Sequence, residues 1–128
     1  MKIDKFEDLD IWQEAREMSR LVFDLTAKEP FVSDFRIRDQ IRAASGSVID
    51  NKAEGFDRGG NKEFSRFLSI SMGSSAEVRS QSYRAFDCKY ISEDQLKELL
   101  KRTENISRKA FKLMQYLKNS GIKGIKYS

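Results

Sequence analysis

Glu54 and Arg58 are the best acid–base candidates in this chain, a carboxylate and a guanidinium one helical turn apart. General acid–base catalysis needs two groups with tuned protonation, and the 128-residue sequence holds no histidine. A structural ion pair is the better reading of Glu54 and Arg58. The lone cysteine, Cys88 beside Lys89, has no histidine to activate it, and one thiol forms neither an internal disulfide nor a multi-cysteine metal site. The glycine-rich stretch from Gly55 to Gly60 lacks the Gly-Lys-Ser/Thr ending of a phosphate-binding loop and follows a helical pattern. No catalytic, metal or cofactor-binding set emerges. The expectation is a protein that binds and does not catalyse, with no cofactor.

Polar and basic residues at helical spacing are the remaining candidates. In the pattern beginning at Phe35, Ile37, Ile41, Ala44 and Val48 form an apolar stripe within about 40° on a helical wheel. Arg38, Arg42 and Lys52 fall on one flank of it, and Gln40, Ser47, Asn51 and Glu54 on the other. Amides and hydroxyls in register suit hydrogen bonds across a helix–helix or subunit contact, although loops and water would serve them as well. Near the C-terminus Lys97, Lys101, Arg108 and Lys112 share a face about 60° wide. Both basic arcs are candidate nucleic-acid contacts, through the phosphate backbone with little sequence reading. Aromatic residues for base stacking are expected on core faces and not among these cations.

Four helical patterns must position these residues. The first spans about 8–28, with Asp8 or Asp4 as cap and Pro30 as its stop. The second spans 35–54, capped by Ser33 or Asp34 and ended by Gly55 as a left-handed cap, with 55–60 as a loop. The third spans 61–87. Its face of Phe64, Phe67, Leu68, Ser71, Ser75, Val78, Ser82, Ala85 and Phe86 is small in the middle, which suits close helix approach better than a ligand site. The fourth spans 93–119, opening on a capping box from Ser92 to Gln95. Its seam of Leu96, Leu99, Thr103, Ile106, Ala110, Leu113 and Leu117 keeps a heptad spacing. Short connections make successive helices antiparallel, so the predicted fold is all-α, an up-down-up-down four-helix bundle over 1–120 with a basic tail at 121–128.

Composition agrees with a single globular domain. Apolar residues are 39%, charged residues 34%, and there is one proline, too few for a turn-rich β fold. The apolar runs are too short for a membrane span and the first ten residues too charged for a signal peptide, so the expectation is a cytoplasmic protein with no membrane partner. Net charge is +4, but from Lys97 onward nine basic residues face two acidic ones, while the first 96 residues are net acidic. The acidic first helix and basic fourth helix are expected to neutralise each other, inside one subunit or between neighbours.

The run Ser47-Val-Ile-Asp-Asn-Lys-Ala-Glu-Gly55 joins Phe6-Glu-Asp-Leu-Asp-Ile-Trp12, Gln40-Ile-Arg-Ala-Ala44, Arg58, Glu63-Phe64, Phe67-Leu68 and Gly73-Ser74 in a specific order. Together they resemble the 23S rRNA-intervening-sequence protein family, over about 115 residues. That pattern usually carries an aliphatic residue where Lys52 stands, and an alanine before the Gly-Ser pair where this chain has Ser71-Met72. The resemblance implies a small bacterial four-helix bundle assembling as a homopentamer, with no catalytic residues. It makes Gln40, Ser47, Asn51, Glu54, Gly55 and Arg58 the family motif, in structural or interface roles. Some members are encoded inside insertions in large-subunit rRNA genes, and a similar bundle is an accessory to a reverse transcriptase in diversity-generating retroelements. The partners so implied are the chain itself, RNA or DNA, or a protein such as a reverse transcriptase. Two functions follow as expectations. One is a non-enzymatic ring that associates with nucleic acid through repeated basic surfaces. The other is a protein-binding adaptor ring, whose signature would be an exposed apolar patch at Phe31, Phe35, Phe56, Tyr90 and Ile91.

Overall fold

The structure, a computed structural model, describes residues 3–119, so the basic tail expected at 121–128 lies outside the described residues. Four helices carry the fold: α1 (Asp10–Thr26), α2 (Phe35–Asp57), α3 (Asn61–Asp87) and α4 (Glu93–Asn119). Single 3-10 turns at Phe6–Asp8 and Phe31–Ser33 precede α1 and α2, and there is no strand among the described residues.

The helices form an antiparallel bundle whose register can be read from side-chain bonds. Gln40, Ser47 and Lys52 of α2 meet Arg84, Ser74 and Ser71 of α3, so rising numbers on one helix face falling numbers on the other. Arg79 and Asn61 of α3 reach Leu100 and Leu117 of α4 in the same descending sense. Lys109 of α4 closes the ring by reaching back to Asp10 at the start of α1.

Local signals explain most boundaries. The Ser92 backbone N–H donates to Gln95 Oε1 at 2.8 Å and the Gln95 N–H to Ser92 Oγ at 3.1 Å, a reciprocal cap that starts α4. Asp34 accepts from the Ile37 N–H at the start of α2, and its other oxygen accepts from the Tyr90 hydroxyl at 2.7 Å, tying that helix start to the α3–α4 connection. Neither Asp8 nor Asp4 caps α1; Leu9 precedes it with no side-chain bond. The helix also stops earlier than Pro30 alone requires, at Thr26, whose hydroxyl bonds back to the Val22 and Phe23 carbonyls.

Gly55 corrects a sequence expectation. It is not a left-handed terminator but lies inside α2, which runs on to Asp57, and the chain turns at Gly59 with φ of 89°. Gly55 is there because of α3: a β-carbon added to it would sit 2.5 Å from Phe67 Cβ. The expected loop over 55–60 therefore shortens to 58–60.

Apolar burial falls into two clusters. The larger joins Met18, Val22, Ile41, Val48, Val78, Leu99 and Ile106; the smaller joins Leu9, Ile11, Phe56, Phe64, Leu68 and Leu117 at the other end. Along α2 and α3, Lys52 and Ser71 fall between them, both fully buried.

Candidate nucleic-acid interface

The α4 arc stands on the outside of the bundle because its residues lie opposite the Leu96–Leu117 seam. Lys97, Lys101, Arg108 and Lys112 are all exposed. Lys97 pairs with Glu93 at 3.1 Å and Arg108 with Glu104 at 3.9 Å, each one turn away. Lys101 borders a hollow shared with Glu14, Glu17 and Glu98. Lys112 makes no hydrogen bond or ion pair among the described residues. Exposed pairs one helical turn apart are worth only about 0–1 kcal/mol, so these carboxylates hold the cations weakly.

The α2 arc is only partly a surface. Arg38 donates to the Val32 carbonyl at 3.1 Å and to Asp39 at 2.9 Å, and its guanidinium lies 4.8 Å from the centre of the Phe35 ring. Arg42 donates to Thr26 Oγ1 at 2.8 Å and lies 4.7 Å from the Phe23 ring centre. Both are half-buried and committed to holding the α1–α2 end together.

Lys52 is removed from the interface altogether, since none of it reaches solvent. A bundle helix faces two neighbours, so its buried arc spans roughly 120° and not the narrow stripe from Ile37 to Val48. At about 60° from Ile37, Lys52 is in the middle of that arc. Its ammonium donates to Ser71 Oγ and, at 3.5 Å, to the Val48 carbonyl. Ser71 in turn donates to that carbonyl at 2.7 Å. Burial brings the Lys52 ammonium down from the usual 10.5 to about 7, with Glu14 pulling weakly the other way.

The polar flank of α2 bonds partly to α3 and partly along α2 itself. Ser47 and Ser74 hydroxyls share a 2.8 Å bond, and Asn51 Nδ2 donates to both Ser47 oxygens. Gln40 accepts from Arg84 at 3.4 Å. Glu54 and Arg58 form an exposed pair at 3.4 Å, and the same guanidinium lies over Phe67, the ring that Gly55 touches. Six motif positions thus lie along the α2–α3 side of the bundle.

Charge neutralisation between the first and last helices occurs within one subunit at Lys109, which contacts Asp10 at 2.7 Å and Glu14 at 2.6 Å. The two carboxylates hold the Lys109 ammonium above its usual range, and Lys109 holds Asp10 below its own. No three of His, Cys, Asp and Glu are grouped to hold a metal ion among the described residues. Cys88, just past α3, is exposed.

The aromatic expectation needs two corrections. Phe31, Phe56 and Ile91 are buried and Tyr90 half-buried, so the proposed apolar patch reduces to Phe35. Conversely, Phe23, Tyr83, Phe111 and Tyr116 are exposed. Phe111 was legible on the helical wheel, where it lies within about 100° of every cation in the α4 arc; its residue type alone argued for the core.

The model of the 23S rRNA-intervening sequence protein family matches residues 7–112, nearly the whole described bundle. The chain belongs to that family. A crystal structure of a protein of unknown function from the S23 ribosomal protein family, from Bacteroides thetaiotaomicron VPI-5482, is similar to it with a TM-score of 0.74 at 17% identity. The match covers 82% of this chain and 98% of that one, a likeness of fold. No curated protein matches the chain. No helix among the described residues is long and apolar enough to cross a membrane.

Proposed function

We propose that this member of the 23S rRNA-intervening sequence protein family is a non-enzymatic homo-oligomer, a pentamer by family resemblance, that associates with RNA or DNA through basic surfaces repeated around the ring. The setting that fits is the cytoplasm. The observation that carries the reading is the exposed row of Lys97, Lys101, Arg108 and Lys112 on one face of α4. One copy of that row binds phosphate weakly. A closed assembly repeats it at fixed spacing, so later contacts become intramolecular and the field adds. Lys52 takes no part, being fully buried, and Arg38 and Arg42 are half-buried and bonded at the α1–α2 end of the bundle.

The second reading is a scaffold ring that binds another protein without touching nucleic acid. It is favoured by Ile70 and Tyr83, large apolar groups exposed on α3.

Binding of a random-sequence RNA oligonucleotide, followed by anisotropy across a salt series, tests the first reading. Releasing counterions from four cations gives a log–log slope of about −3 per engaged protomer. Changing Lys97, Lys101, Arg108 and Lys112 together to Glu should abolish binding while leaving the helical content unchanged. No binding by the unaltered protein at low salt would overturn the reading.

A further inference from the structure

Three phenylalanines are exposed, Phe23, Phe35 and Phe111. The first two lie under guanidinium groups of their own chain, Arg42 and Arg38, at 4.7 and 4.8 Å from the ring centres. Phe111, 52% exposed, has nothing stacked on it among the described residues. It stands between two hollows. One, of about 660 Å³, lies between the start of α3 and the end of α4, lined by Lys62, Ser65, Met114, Gln115 and Lys118 with Phe111. The other, of about 410 Å³, is bordered by Arg79, Glu104, Ser107 and Arg108 with Phe111. The charged residues around this ring are thus four cations and a single carboxylate.

We propose that Phe111 is a stacking platform for an unpaired base, and that the hollow between α3 and α4 takes a segment of single-stranded nucleic acid with Lys62 and Lys118 beside its phosphates. The proposal rests on the nucleic-acid reading above and adds a strand preference to it. The occupant follows from charge complementarity. A vacant π face in an apolar hollow rimmed by lysines, with no carboxylate lining the larger hollow, suits a ligand that is both flat and anionic. The 660 Å³ volume is in the roughly 300–1,000 Å³ range of clefts that hold small organic groups. A duplex hides its base faces and gains only from the lysines; a single strand gains from the ring as well. Stacking accepts any base, so little sequence preference is expected. Gln115 and Ser65 supply amide and hydroxyl groups at the edge of the hollow.

The test compares the full-length protein with Phe111→Ala and Phe111→Trp, against one labelled oligonucleotide presented as a single strand and as its duplex. Phe111 is half exposed, so its removal leaves the core intact. Phe111→Ala should weaken single-strand binding roughly tenfold or more and leave duplex binding unchanged. Phe111→Trp should restore it, and ultraviolet crosslinking should trap a nucleotide on the peptide carrying residue 111. If the unaltered protein binds neither form, the nucleic-acid reading itself has failed. If it binds both and Phe111→Ala changes nothing, the stacking platform is wrong while that reading stands. If Phe111→Ala instead lowers the mass of the assembly, the hollow is a contact with a second copy of this chain, and the proposal is overturned.

Discussion

Replacing Lys52 by methionine is expected to stabilise the protein by roughly 4 kcal/mol near pH 6, with the gain shrinking toward pH 10. The cause is desolvation. An ammonium with no exposure to solvent holds its proton far less firmly than in the unfolded chain, where it returns to the usual 10.5 from about 7. Between those two values the unfolded state binds the extra proton, so the stability of the unaltered protein rises with pH across that window. Below about pH 7 both states are protonated and the penalty is present in full. Methionine has a similar length and no charge. Ser71 keeps its 2.7 Å bond to the Val48 carbonyl, so no donor is orphaned. The family pattern, aliphatic at this position, points the same way. Urea unfolding of both proteins at pH 6, 8 and 10 checks it. A methionine variant less stable than the parent, or a difference independent of pH, would contradict the account of this site.

The second large effect is at Gly55. Alanine normally strengthens a helix interior by about 1 kcal/mol relative to glycine. Here the added methyl would lie 2.5 Å from Phe67 Cβ and 3.3 Å from a ring carbon of Phe64. A β-carbon is tied to its backbone, so α2 and α3 would have to part. Overpacking of this kind costs about 1–3 kcal/mol, enough to outweigh the helix gain and reverse the sign. Gly46→Ala on the same helix and Gly73→Ala on its partner are the controls. An added β-carbon meets nothing within 4 Å at either, and each should gain about 0.5–1 kcal/mol. Thermal midpoints of the three variants compare the effects directly, and a stabilised Gly55→Ala would mean that the α2–α3 contact is looser than described.

Where the sequence succeeded and failed has a common cause. The start and the buried face of α4 were legible, because the Ser92–Gln95 cap and the Leu96–Leu117 seam are local signals. Gly55 misled because its role is set by Phe67, a residue on another helix, while its type suggested a terminus. Lys52 and Phe111 erred in opposite directions for one reason. Residue type assigned the lysine to water and the ring to the core, but position on the helix decides which neighbour covers a side chain. Ser47 and Asn51 were recognisable as polar groups in register, one turn apart on the same helix; that Ser47 also bonds Ser74 required the α2–α3 pairing.

The central claim is that modest cationic surfaces act because a closed assembly presents them together. Light scattering of the purified protein, before and after nuclease treatment, tests it most directly. The account predicts a protein mass near five times the 14.9 kDa of one chain, carrying nucleic acid that nuclease removes. A single 14.9 kDa species at micromolar concentration, free of nucleic acid from the start, would contradict it.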